Sequence, residues 1–584
     1  MEVIDFNFDL NSKWFSTVAS IWIQCTSGSL YTFSIYSQTL KSTQHYDQST
    51  LDFVSVFKDI GGNSGVFAGF LYDFVFQHRR TGPWVVHLVG AALNFLGYFF
   101  MWTAVAGVIP RPPVPLMCLF MLVTAHAQTY FNTSNVVTGV RNFPNYTGTI
   151  VGIMKGFVGL SGAIMIQAYR TIFNNKPTRY LLMLALLPTI NTLLFMWFLR
   201  IHNTPEGDEG KYLNIFSFVT LLIAVYLMAI IILENILSLQ LLVRVFVFVV
   251  LIFLLASPLY IAFEAKKRSS KSTSQSLLDE GSRLIVEPGH QDTEKMDVRQ
   301  DSGENPILSD TDPEMDANNR RDLRLGANHN LFQAMQTMNF WILFVSMACG
   351  MGSGLATVNN IGQVGASLGY TSHETGTMVS LWSIWNFLGR FGAGYVSDYF
   401  LHRGGWARPS FMVITLMIMS IGHVVIASGL PGAVYAGLIL VGVCYGSQWS
   451  LMPTITSEIF GVRHLGSIFN AICLASPVGS YIFSLRFCFS EQKPSMVRLY
   501  TEEYKDTYET PVCRDGTVNL LLFRELKSDH YLNEAAHNLF WYDLCFCARR
   551  FLSVEVLGYP VLEIIAFAVD YVSSCAYALQ FITE

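Results

Sequence analysis

Apolar runs of about twenty residues recur along this chain, and no other feature limits its possible folds so strongly. A backbone in hydrocarbon has no water to bond, so such runs fold as α-helices that satisfy their own polar groups. Thirteen are readable, near 14–36, 60–77, 83–106, 114–137, 147–169, 179–199, 213–235, 241–262, 339–361, 372–396, 408–428, 431–452 and 465–485. The chain of 584 residues is 52% hydrophobic and 14% charged, with a mean hydropathy of +0.38. An integral, multi-pass membrane protein follows, its lipid bilayer the first expected partner. The net charge of −5 leaves no footprint for nucleic acid.

The runs group into an N-terminal six-helix bundle within 1–200 and an additional helix pair at 201–262. At 263–338 the composition turns to KKRSSKSTSQS and then to an acidic stretch without hydrophobic period, which reads as a disordered cytoplasmic linker. A C-terminal bundle with five clear spans follows at 339–486. Residues 487–584 form an atypical charged tail with one weak span, Phe551 to Ile582, that carries Glu555, Glu563 and Asp570. Met1 to Trp14 lack the basic start of a cleavable leader, so the first span is expected to stay. Arg79, Arg80, Arg200, Lys266, Lys267, Arg268 and Arg403 assign their loops to the cytoplasm, and Lys176 and Arg179 fall on the other side. The sequon at Asn145 then lies in a cytoplasmic loop and carries no glycan.

One pattern occurs in each half. In the second, Gly389, Arg390, Gly392 and Gly394 precede Asp398, and Arg403 and Arg408 follow; in the first, Gly65 and Gly69 precede Asp73, and Arg79 and Arg80 follow. Glycines let lipid-embedded helices approach closely. An Asp at a helix C-terminus meets partial negative charge and calls for a cation, the nearest being those arginines. A motif repeated once per half suits two bundles rocking against each other, with this pattern as a cytoplasmic gate. The plainer alternative is that the charges only mark span ends.

Polar groups inside spans are costly and mark pathways. Lys155 lies about 13 Å past the loop at Pro144, at 1.5 Å per residue, among Gly156, Gly159, Ser161 and Gly162. It is expected to face the bundle interior and to bind an anionic group or exchange a proton, or else to be a structural pair or a snorkelling stem. Gln24, Gln128, Asn132 and Asn135, with Asn359, Asn360 and Gln363, are weaker cavity candidates that also suit interhelical glue. Glu234 and Arg244 either pair across their hairpin or snorkel; His423 reads as a satisfied interior histidine; Glu458 reads as an ion pair with Arg463 or His464. Cys25, Cys118, Cys349, Cys444 and Cys473 lie in apolar runs and the other five in the tail, without zinc-site spacing, so no metal or cofactor is expected. No GxxxxGK, HExxH or GxSxG is present, which argues against a nucleotide-driven pump of that kind and against a membrane hydrolase.

The run GIMKGFVGLSGAI around Lys155, the stretch from Phe340 to Tyr370, and WNFLGRFGAGYVSDYF resemble the plant nodulin-like, nuclear fusion defective 4-like branch of the major facilitator superfamily, over about Lys13 to Arg486. The resemblance implies an all-α two-bundle fold with an additional helix pair, alternating access, and distant similarity to oxalate/formate antiporters. In it, Gly389, Arg390 and Asp398 match the superfamily's cytoplasmic loop motif, and Gly69, Asp73 and Arg80 match its first-half copy more loosely. Relatives usually end in a short loop and a last apolar span, which the tail replaces here. An intron-derived or frameshifted C-terminus would account for that, and an in-frame last exon in every message would defeat the idea. The expected function is secondary active transport of a small polar or anionic solute, with a proton as the candidate coupling partner, and not enzymatic. The alternatives are a non-transporting receptor or regulatory scaffold, or a defective splice isoform.

Overall fold

The computed structural model describes residues 12–77, 82–173, 177–202, 209–236, 240–285, 328–367, 370–428 and 432–489. Those residues are helical, with no strand among them. In the first half run α1 (Lys13–Gln24), α2 (Phe33–Gln44), α3 (Gln48–Asn63), α4 (Val66–Gln77), α5 (Trp84–Val105), α6 (Val114–Asn142), α7 (Thr147–Ile172) and α8 (Pro177–Phe195). Then come α9 (Glu209–Ile236) and α10 (Leu241–Ile285). The second half holds α11 (Leu331–Met335), α12 (Met338–Ser367), α13 (Ser372–Gly404), α14 (Arg408–Ala427), α15 (Ala433–Phe460), α16 (Leu465–Cys473) and α17 (Ala475–Phe489).

Among the described residues, ten helices are long and apolar enough to cross a membrane. The sequence spans near 14–36, 60–77 and 372–396 are not among them. The first is broken into α1, a 3-10 turn at Ser29–Thr32 and α2; the second is broken at Ser64 between α3 and α4. The second pass therefore begins at Gln48, not near residue 60, and takes in Lys58 and Asp59. The third is one helix, α13, diluted by polar residues at its start and by Arg390 and Asp398 further on.

Local signals explain several boundaries. Asp47 caps α3 by accepting from the Thr50 amide at 2.8 Å, and bonding from the Thr50 side chain first and from this amide second holds its pKa below the ordinary value. Capping boxes open α11 (Asn330, Gln333) and α13 (Thr371, Glu374). Gly405, at φ 65°, closes α13 in the left-handed conformation that glycine adopts without strain.

Two bundles form, one from α1–α8 and one from α12–α17. Within the first, Gln128 donates to Asn94, and Asn94 to the Leu184 carbonyl, both at 3.0 Å, which ties α5, α6 and α8 together. His87 and Asn135 bond at 3.1 Å in the same manner. Within the second, a Cβ at Gly389 would collide with the Val443 carbonyl and the Ser447 amide, so α13 and α15 touch backbone to backbone. Both nitrogens of His423 have partners there, the Met419 carbonyl at 2.8 Å and the Thr357 hydroxyl at 3.1 Å.

The additional pair is fastened to the first bundle. Lys13 of α1 pairs with Glu209 of α9, and Glu234 of α9 accepts from Arg170 and Gln167 of α7. Trp22 donates to the Leu255 carbonyl of α10 at 2.7 Å. Glu234 therefore pairs with the part-exposed Arg170 from a neighbouring helix and not with Arg244, so of the two readings of that hairpin the pairing does not form among the described residues. The linker expectation also needs correction at both edges. α10 continues from residue 263 to Ile285: no Pro or Gly lies between 263 and Gly281, and Arg268 donates to Glu264 one turn back at 2.8 Å. α11 occupies part of the other edge. Residues 286–327 of that linker and residues 490–584 of the tail lie outside the described residues.

Candidate functional site

At one end of the molecule the bundles are held by two locks, each an aspartate one to two turns before the end of one helix, not at its terminus as the sequence suggested, bonded to the first turn of a helix in the other bundle. Asp398 accepts from the Gly148 amide at 3.0 Å and from the Thr149 amide at 2.6 Å, at the start of α7. Free amides and the positive end of the helix dipole make that terminus a ready anion site. Arg408, on the first turn of α14, donates to Asp398 at 2.5 Å and also to Glu458 of α15. Close approach depends on glycine: a Cβ at Gly394 would meet the Gly148 carbonyl and Gly152, and one at Gly148 would meet the Gly394 carbonyl.

The second lock repeats the device with the bundles exchanged. Asp73 of α4 accepts from the Ser467 amide at 2.9 Å, in the first turn of α16. A Cβ at Gly69 would collide with Gly466. Arg141, in the last turn of α6, donates to the Val462 and Arg463 carbonyls at 2.7 and 2.9 Å, just beyond α15, and lies over the Phe76 ring at 3.4 Å. A cation on carbonyls at a helix C-terminus complements an anion at a helix N-terminus.

Several gate residues differ from their expected places. Arg403 donates to the neighbouring Tyr399 hydroxyl at 2.5 Å and does not reach Asp398, because α13 continues through Gly404 and leaves it on an exposed last turn; Arg408 takes the role. Glu458 likewise pairs with Arg408, not with Arg463 or His464. Gly389 packs inside its own bundle, and a Cβ at Gly392 would meet nothing within 4 Å. Arg79 and Arg80 lie outside the described residues. Arg141, which sequence reasoning missed, stands beside Asp73; its basic position at the end of an apolar helix was the available signal.

Arg390 is displaced most. It lies eight residues before Asp398, about 12 Å deeper along the helix, and is 1% exposed. Lys155 lies eight residues into α7 from Thr147, at about the same depth, and is 2% exposed. The two antiparallel helices thus bring both cations to one level. Arg390 donates to Asn386 at 2.9 Å, to the Lys155 carbonyl at 3.5 Å and to the Tyr31 hydroxyl at 2.9 Å. The Lys155 ammonium faces the rings of Trp449 at 4.7 Å and Phe469 at 5.1 Å, and Arg390 shares Trp449 at 5.6 Å. No carboxylate pairs with either cation among the described residues.

The amide candidates divide. Gln24 is buried on α1; its Oε1 accepts from Ser27 at 2.6 Å and its Nε2 has no partner among the described residues. Asn132 keeps its Oδ1 without one. Gln128 and Asn135 are interhelical glue in the first bundle, as given above. Asn359 is exposed on α12, Asn360 bonds its own helix at Ala356, and Gln363 lies on α12 with its side chain outside the described residues. Tyr31, Trp449 and Phe469 were not singled out from sequence, since an aromatic in a span usually packs against lipid or core.

Two small-residue crossings, a charged lock at each and a cation pair behind them define a polytopic, all-helical membrane protein built of two bundles. The family comparison agrees: a nodulin-like model matches residues 13–263 and an NFD4 C-terminal domain model matches residues 329–503, the latter running past residue 486 into the stretch read as atypical tail. Residues 13–263 are thus similar to the nodulin-like family and residues 329–503 to the NFD4 C-terminal domain. Protein NUCLEAR FUSION DEFECTIVE 4 of Arabidopsis thaliana is 25% identical over 81% of this chain and 79% of its own length. A Yarrowia lipolytica protein named probable transporter MCH1 is 28% identical over 19% of this chain and 24% of its own. Among solved structures, the proton:xylose symporter XylE bound to 6-bromo-6-deoxy-D-glucose overlays at 11% identity and a TM-score of 0.48, covering 88% of this chain and 92% of its own.

Proposed function

We propose that this protein is a secondary transporter of small anionic solutes, which bind between Lys155 and Arg390 and cross as the two bundles rock about that level. The observation that carries the reading is the pairing of two buried cations, one from each bundle, with no carboxylate on either among the described residues. Buried charge is retained only with a compensating partner, and an anionic solute would supply one during transport. Placement of one cation on each bundle lets a single bound anion bridge the halves, which is what alternating access needs. The locks then form the cytoplasmic gate, and the structure corresponds to the state closed on that side. With no nucleotide-binding loop in the sequence, a solute or proton gradient is the proposed energy source, and no enzymatic step is involved.

The test is uptake of labelled organic anions into proteoliposomes by the native chain and by Lys155→Gln and Arg390→Gln. Loss of at least about tenfold in either variant is expected, the scale of one hydrogen bond to a charged group, with unchanged thermal unfolding in detergent. Undiminished uptake by both variants would refute the site, and no uptake of any solute by the native chain would favour a non-transporting scaffold.

A further inference from the structure

Tyr31 stands at the cation pair in an unusual position. It is on the 3-10 turn Ser29–Thr32 that interrupts the first membrane pass, and half of its surface is exposed. The turn is held against α7, the helix of Lys155: a Cβ at Gly28 would fall on Ser161 and the Val158 carbonyl, and Gly162 lies under the Tyr31 Cβ. From there the Tyr31 hydroxyl reaches across to the other bundle and accepts from Arg390 Nη2 at 2.9 Å, with the guanidinium 5.5 Å from the ring centroid. The other Arg390 donors go to Asn386 of its own helix and to the Lys155 carbonyl. Both are fixed features of the packed interface. The bond to Tyr31 alone joins Arg390 to an exposed, turn-borne group.

We propose that the Tyr31 hydroxyl is an internal ligand of this site, occupying the Arg390 position that an anionic solute takes, and that its displacement sets a threshold that carboxylate-type anions clear and neutral polyols do not. This rests on the anion-transport reading above. The selection follows from exchange. A hydrogen bond from guanidinium to a charged oxygen is stronger than one to a neutral hydroxyl. A carboxylate replacing Tyr31 therefore gains, whereas a sugar hydroxyl merely substitutes one neutral acceptor for another. Release of Tyr31 also removes a cross-bundle bond at the level of the site, so occupancy and freedom of the bundles to move are linked.

The experiment titrates acetate, succinate and xylitol into native protein and Tyr31→Phe, read by the tryptophan fluorescence that Trp449→Phe abolishes. The phenyl ring keeps the packing over Arg390, and matching melting temperatures would establish that the variant is folded. Removal of the competing hydroxyl is expected to tighten the bound carboxylate several-fold, up to about tenfold, and to tighten xylitol by a like factor. Unchanged or weaker carboxylate binding by Tyr31→Phe, with native binding intact, would overturn the role of Tyr31 and leave the transport site standing. Failure of native protein to bind either carboxylate would overturn both.

Discussion

Asp398→Asn is the sharpest perturbation of the gate, because the two locks are chemically unequal. Asp398 is buried and accepts from two amides and from Arg408. Asp73 is equally buried, yet one donor, the Ser467 amide, reaches it, and its Oδ1 has no hydrogen-bond partner among the described residues. Neutralising Asp398 removes a charged hydrogen bond, about 1.5–3 kcal/mol, and an anion at a helix N-terminus, about 0.3–1 kcal/mol. Glu458 still holds Arg408, so the loss stays below the roughly 3–5 kcal/mol of a fully orphaned buried partner. A bias of about 2–4 kcal/mol toward the open gate corresponds to a roughly 30- to 700-fold rise in its population. Asp73→Asn forfeits less, about 1–2 kcal/mol, or about 5- to 30-fold. Both can be read with one reporter, the buried thiol of Cys473, which faces Lys155. With Cys473 as the sole cysteine, its alkylation rate by a membrane-impermeant maleimide added at the gate side tracks the open population. Equal rates in the two variants, or the larger rise in Asp73→Asn, would refute the assignment of the stronger lock to Asp398.

Three further outcomes are expected. The Asp47 cap stabilises α3 in its ionised form; with its folded pKa below 3.8, that contribution is full above this value and fades as pH falls through the folded pKa. Thermal unfolding of Asp47→Ala should therefore fall short of the native chain near neutral pH and converge with it in strong acid. Glu234→Gln, which strips the charge from the Arg170 and Gln167 contacts, should cost about 1–3 kcal/mol in denaturant unfolding, and a larger cost from Arg244→Gln would return the pair to the hairpin. Asn145 lies in the 3-10 turn beside Gly148 and Thr149, at the gate end, so a glycosidase-induced mobility shift abolished by Asn145→Gln would invert the proposed topology.

Much of the fold was legible because lipid allows a spanning backbone few solutions. Lys155 was singled out by the cost of an ammonium in an apolar run, and Asp73 and Asp398 by the repeated glycine pattern around them. The pairing of charges was legible only in part: Arg408, one of the two cations named for Asp398, does reach it. Arg403 is closer in sequence to Asp398 than Arg408 is, yet helix α13 carries it past the lock. Glu234 and Arg244 share a hairpin, yet Arg170 arrives from another helix. Arg390 was grouped with the gate because its motif reads as one unit, although eight residues of helix separate it from Asp398 by about 12 Å. Counting that rise on α7 and α13 together would have set Arg390 level with Lys155. The breaks in the first two passes were less accessible. GGNSG at Gly61 to Gly65 signalled weakness near Ser64, but Lys58 and Asp59 were left outside the span because hydropathy alone set its start.

The most direct measurement is proteoliposome uptake by the native chain of a labelled panel of organic acids, amino acids and sugars, with and without an imposed proton gradient. Saturable uptake confined to anionic solutes, and lost in Arg390→Gln, is the expected result. Uptake of neutral sugars at the same rate, or anion uptake indifferent to both Lys155→Gln and Arg390→Gln, would contradict an anion site built from one cation of each bundle.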